Sequence, residues 1–108
     1  MATIESGAQL MTLVNVFTVA PDRQAQLVEL LVRATRETMS KVPGFVSASI
    51  HRSTDGTKVI NYAQWRSESE FRAMRDDPRA KKHMEEAARL ASFEPIVCEV
   101  VESISAAT

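Results

Sequence analysis

Asn61 and Trp65 stand four residues apart in Val59-Ile60-Asn61-Tyr62-Ala63-Gln64-Trp65. In an extended segment side chains alternate, so Val59, Asn61, Ala63 and Trp65 share one face. An amide and an indole N–H then lie on an otherwise apolar surface. Both need partners once buried. Donors of this kind can stabilise negative charge growing on an oxygen atom of a bound molecule. A structural role fits the same pattern: the indole N–H bonds a carbonyl, and the amide bridges backbone at a bulge. Asn15 shares a strand face with Leu13, Phe17 and Val19 and is a possible third donor. His83 falls on the apolar stripe of a helix. An imidazole there can take a proton near neutral pH, or sit half-buried against backbone or water. Cys98, between Ile96 and Val100, reads as packing, since nothing nearby in sequence lowers its pKa.

The chain that must position these residues has 108 residues, 44% hydrophobic and 25% charged, which is a globular composition for one domain with an ordered core over about 11–103. Lys and Arg number 13 against 14 Asp and Glu, so there is no basic excess for nucleic acid or for an anionic membrane surface. One cysteine excludes an internal disulfide, and two histidines leave little for a metal cluster. Three glycines exclude a dinucleotide fingerprint or a phosphate loop. No apolar run approaches a membrane span, and the first ten residues carry Glu5 and no basic start, unlike a secretory signal. A cytoplasmic protein whose chemistry lies in a pocket is expected.

Met11-Thr12-Leu13-Val14-Asn15-Val16-Phe17-Thr18-Val19 reads as a strand. Leu27, Leu30, Leu31, Ala34, Thr38 and Met39 form the apolar stripe of a helix over 22–41, which Pro43-Gly44 stops. Strands over 45–53 and 57–65 flank the hairpin signal Asp55-Gly56. A two-residue turn there places Ile50 opposite Asn61, Ala48 opposite Ala63 and Val46 opposite Trp65. Ser67 and Glu70 form a capping box for a helix carrying Phe71 and Met74. Asp77-Pro78 interrupts it. A helix over 79–91 follows, with Ala80, His83, Met84, Ala87, Ala88 and Ala91 as its stripe, then a strand over 95–103. The ends of the chain, 1–10 and 105–108, read as frayed. The order is ferredoxin-like βαββαβ: an α+β fold whose four-stranded antiparallel sheet is covered by helices on one face. The other face is apolar enough to need a second copy of the chain.

Pro43-Gly44-Phe45-Val46, Ser53-Thr54-Asp55-Gly56-Thr57, the Asn61–Trp65 strand and Glu70-Phe71-Arg72 together resemble the antibiotic biosynthesis monooxygenase domain over about 13–102, most closely its actinorhodin-type, quinone-forming branch. The resemblance implies a homodimer, a dimeric α+β barrel with sheets face to face, and a pocket between sheet and helices. It implies oxidation of anthrone or phenol rings of aromatic polyketides to quinones by molecular oxygen, with no metal, flavin or haem. Asn61 and Trp65 match the strand Asn and Trp implicated in catalysis. Asn15 matches an Asn of the nogalamycin-type members. Phe71 replaces a pocket Tyr of the actinorhodin-type members, and their helical Arg, aligned near His83 and Met84, is not retained. With Ile50, these residues are the expected surroundings of the substrate.

Two rival readings stay open. Haem-degrading monooxygenases of the same superfamily are similar in Asn15, Trp65 and His83, but carry a further Trp where Met74 stands. A non-catalytic small-molecule binder would use Asn61 and Trp65 only to shape a pocket.

Overall fold

The computed structural model describes residues 10–107. The expected frayed leader lies almost wholly outside them. Strands β1 (Met11–Val19), β2 (Phe45–Arg52), β3 (Lys58–Trp65) and β4 (Ala91–Cys98) form one antiparallel sheet in the order β2-β3-β1-β4. Helices α1 (Gln24–Glu37), α2 (Glu68–Arg75) and α3 (Pro78–Leu90) complete the ferredoxin-like order. Each helix has an apolar face, and their buried residues, among them Leu27, Leu31, Phe71, Met74 and Ala87, join the buried clusters built on β1 and β3. Ala88 is exposed and does not belong to the α3 stripe.

The 22–41 helix is divided: Pro21–Arg23 and Met39–Lys41 are 3-10 turns at either end of α1. Thr38 ends α1, its N–H bonding Ala34 O at 3.0 Å. The hairpin loop is wider than two residues, with Ser53 N donating to Lys58 O at 2.9 Å around residues 54–57. Asp55 organises it, accepting from Ser53 Oγ, Thr57 N and Thr57 Oγ1 at 2.7, 3.0 and 2.8 Å. These bonds, led by the Ser53 hydroxyl, hold its carboxyl down at about 2. Because the loop adds one residue on each side, the pairing is unchanged: Ile50 opposes Asn61 and Ala48 opposes Ala63. Val46 does not oppose Trp65. A bulge between Phe45 and Ser47 sets it aside, and Phe45 pairs with Trp65 instead.

The final strand begins at Ala91, four residues before the expected start, and ends at Cys98, so Val100 lies beyond it. Pro95 suggested a strand start, yet β4 is an edge strand bonded only to β1, where a missing N–H is tolerated. The chain passes from α3 directly into extended backbone at Ala91 (φ −154°, ψ 158°).

Gly44 fixes the corner that carries Trp65 and Phe71. Its φ is +91°, its carbonyl accepts from Arg66 N at 2.8 Å, and a Cβ there would lie 2.5 Å from Glu70 Cβ. Glu70 is itself held: its N–H donates to Ser67 Oγ at 3.2 Å and its carboxylate accepts from Arg66 at 3.0 Å. The expected capping box is therefore half formed, with Ser67 Oγ also donating to Glu70 Oε1 at 3.2 Å. Gly44→Ala combines a left-handed conformation worth about 1–2 kcal/mol with a clash on a braced side chain. It should destabilise the fold by about 2–4 kcal/mol, within the range of severe single substitutions. Thermal denaturation would show a drop in Tm of roughly 10 °C or more; an unchanged Tm would refute this account of the corner.

The core is split in two. Met11, Leu13, Ala63, Trp65, Phe71 and Met74 belong to one buried cluster; Phe17, Val19, Leu27, Leu31 and Val59 belong to another. On β1 the residue between Leu13 and Phe17 on that face is Asn15. On β3 the residue between Val59 and Ala63 is Asn61. These two are direct cross-strand partners.

Candidate active site

A cavity of about 410 Å³ opens where the two clusters part. That is within the range of small-molecule sites, towards its lower end. Leu13, Ala63, Trp65 and Phe71 line it from one cluster, and Phe17, Leu30 and Leu31 from the other. Asn15, Asn61, Trp65, Phe71, His83 and Met84 all line this one space. Ile50 does not. Though opposite Asn61, its side chain packs against the cluster of Phe17, Leu27 and Val59.

The polar groups of the lining are the notable feature. Asn15 Oδ1, Asn61 Oδ1, Trp65 Nε1 and His83 Nδ1 are buried and have no hydrogen-bond partner. Neither anticipated structural role is present: the indole N–H meets no carbonyl, and the bulge lies at Val46, away from Asn61. A buried polar group left unpaired costs about 1–3 kcal/mol. Four of them around one cavity, contributed by β1, β3 and α3, are two amide oxygens that accept, an indole N–H that donates and an imidazole nitrogen, a set that a ligand carrying both hydroxyl and carbonyl oxygens can satisfy. Thr12 Oγ1 is the fifth such atom, on the opposite side of the sheet.

Trp65 is 2% exposed. Phe45 meets its ring edge-on at 5.5 Å and 90°, and Phe71 at 5.8 Å and 63°. Such contacts hold an aromatic ring in one orientation, so the indole N–H is pre-aimed. Phe45 was not anticipated as a lining residue, because the hairpin pattern assigned Trp65 to Val46. Phe93 lies before the expected start of the last strand and was missed too. It tilts against Phe17 at 5.3 Å. His83 is half-buried, and its Nε2 lies 3.0 Å from Thr38 Oγ1. The partner is thus the side-chain hydroxyl at the C-terminal cap of α1. Arg75, Lys81 and Glu85, all exposed, are the charged lining residues. Arg75 lies over the Phe71 ring, 6.0 Å from its centre. Among the described residues no group of three or more His, Cys, Asp or Glu could hold a metal ion, and no helix is long and apolar enough to cross a membrane.

A ferredoxin-like α+β unit enclosing an apolar cavity with hydrogen-bonding groups aimed inward is a small-ligand fold. The chain belongs to the antibiotic biosynthesis monooxygenase family, whose model matches residues 10–86. It is 50% identical to the tetracenomycin-F1 monooxygenase of Streptomyces glaucescens over 106 residues, 98% of this chain and 95% of that one. Its fold is similar to a monooxygenase of Streptomyces coelicolor solved with nanaomycin D (TM-score 0.81, 36% identity, 90% of this chain and 92% of that one). It is also similar to SnoaB, a cofactor-independent oxygenase from Streptomyces nogalater (TM-score 0.80, 26% identity, 90% and 98%). The chain is a monooxygenase of this cofactor-independent kind.

Proposed function

We propose that the protein oxidises an anthrone or related phenolic ring of an aromatic polyketide to a quinone, with molecular oxygen as co-substrate and no cofactor. The observation that supports this most is the convergence of unpartnered Asn15, Asn61, Trp65 and His83 atoms on one apolar cavity. The tetracenomycin-F1 monooxygenase and the nanaomycin-bound structure support the substrate class.

An anthrone that loses a proton becomes an electron-rich enolate. The enolate passes one electron to oxygen, and the radical pair combines into a carbon-bound peroxide. The peroxide takes up a proton, and loss of water with the second hydrogen of that carbon leaves the quinone. The protein binds the enolate, excludes bulk water and offers donors to the growing negative charge. In this reading the Asn61 amide and the Trp65 indole N–H are those donors, and Asn15 is the third. Phe17, Phe71 and Met84 supply apolar contact to the planar substrate.

A second copy of the chain covers the outer face of the sheet in this reading. Ile60 and Ile96 are 36% and 40% exposed there, beside the half-buried Val14, Val16 and Tyr62. An exposed apolar sheet face of this kind suits a two-fold self-association.

Oxygen uptake by EDTA-treated, flavin-free protein tests the activity against a panel of anthrones and naphthols. Protein-dependent uptake of one oxygen molecule per quinone formed is expected. No uptake across the panel by folded protein would overturn the reading.

A further inference from the structure

Among the ionisable side chains that line the cavity, His83 alone is not exposed to solvent; Arg75, Lys81 and Glu85 all are. Its two ring nitrogens have different surroundings. Nε2 meets Thr38 Oγ1 at 3.0 Å, whereas Nδ1 is buried with no partner. Thr38 is 5% exposed, and its hydroxyl makes no other hydrogen bond among the described residues. That is unusual for its neighbourhood. Thr35 and Ser40 turn their hydroxyls back to the carbonyls four residues earlier, Leu31 O at 2.7 Å and Arg36 O at 2.8 Å. The Thr38 hydroxyl does not turn back in this way and instead faces α3, where it meets His83 Nε2.

We propose that His83 is the proton acceptor of the site, a catalytic residue acting through Nδ1, and that Thr38 is its positioning residue. In this proposal His83 is the tautomer whose Nε2–H donates to Thr38 Oγ1, and Nδ1 carries the free lone pair. As an anthrone or phenol binds, its C–H or O–H bond breaks, the electron pair stays on the substrate as an enolate, and Nδ1–H forms. The imidazolium later returns that proton to the peroxide. This inference rests on the proposed oxidation, and it identifies the base which that reaction needs. The polar groups that share the cavity lining leave few competitors. From α1 comes the hydroxyl of Thr35, from the strands the uncharged Asn15, Asn61 and Trp65, from α2 Arg75, and from α3 Lys81 and Glu85, while Thr38 at the α1 cap meets the imidazole itself. Glu85 is the one carboxylate in the lining, and it is solvated. Tyr62 points to the other side of the sheet.

The test has a redox-inert arm and a turnover arm. In the first, a hydroxyanthraquinone whose colour reports phenol ionisation is titrated into wild-type, His83→Gln and Thr38→Val proteins, each checked for folding by circular dichroism. Wild type should bind the dye in its phenolate colour at pH values where the free dye is neutral. His83→Gln should bind it in the neutral colour, and Thr38→Val should show a weakened shift. In the second arm, His83→Gln should lower kcat for an anthrone by about 10²–10⁴ and Thr38→Val by roughly tenfold, with KM little changed. The defect should shrink for substrates already ionised at the assay pH, which a merely structural role would not produce. Equal phenolate colour in wild type and His83→Gln, or no binding of the dye by folded wild type, overturns the proposal even if oxygen uptake is intact. Should His83→Gln or Thr38→Val fail to fold, His83→Asn and Thr38→Ala are read in the same way. Dye ionisation by wild type alone, without oxygen uptake, would retain the base and overturn the oxidation.

Discussion

Trp65→Phe should lower kcat for anthrone oxidation by about 10²–10³, the usual effect of removing one donor to a developing oxyanion, while KM changes by no more than a few-fold. The substitution deletes a buried N–H with no protein partner, so no internal hydrogen bond is broken. The remaining ring can keep the edge-on contacts with Phe45 and Phe71. A few-fold effect on binding of a quinone product analogue is expected, since apolar contact survives. The separation of the two effects is the diagnostic feature. Steady-state kinetics beside a dye-binding titration measure it. A variant with wild-type kcat would remove the indole from the chemistry. A variant that binds nothing would make Trp65 a wall of the pocket and no more.

Asn61→Leu should move activity and stability in opposite directions. Asn61 Oδ1 is buried and unpaired, as is the Oδ1 of its cross-strand partner Asn15. Replacing an unsatisfied amide by an apolar group of similar size removes a desolvation penalty of about 1–3 kcal/mol. It also joins the cluster of Leu13 and Ala63 to that of Phe17 and Val59. We expect a stability gain of about 1 kcal/mol in denaturant unfolding with m unchanged, and a kcat loss of about 10²–10³. A variant that loses both stability and activity would show that the amide holds the fold. One that keeps its activity would show that the amide does not meet the reacting oxygen.

Much of this architecture was legible in the residues because local and tertiary preferences agree. The alternation in β1 and β3 is nearly strict, so the shared face of Asn61 and Trp65 followed from period two alone, whereas Asn15 joins them through the β1–β3 register, which the alternation of one strand does not encode. The Ile50–Asn61 register survived a wrong turn length because the loop grew equally on both sides. What was not legible depended on geometry that no period encodes. The bulge at Val46 changes which residue faces Trp65. Pro95 looks like a strand boundary until β4 is known to be an edge strand. Ile50 shares the face of Asn61 but meets core side chains instead of the cavity. Thr38 was legible only as a member of the α1 stripe. Its meeting with His83 depends on where α1 ends and how α3 crosses it. The cavity itself arises from packing, since a stripe of apolar residues does not reveal where two clusters fail to touch.

The division of the core has a consequence for how the protein persists between turnovers. The void between the clusters is, for the fold, a missing core side chain, and a bound aromatic ring would replace it. Linkage then makes the molecule's thermodynamic lifetime depend on supply: ligand at a hundred times its Kd adds about 2.7 kcal/mol to the folded state, roughly 10–20 °C in Tm for a chain of this size. Enzyme abundance would then follow the flux it serves, with idle molecules opening first and being cleared first, and no separate regulator would be required.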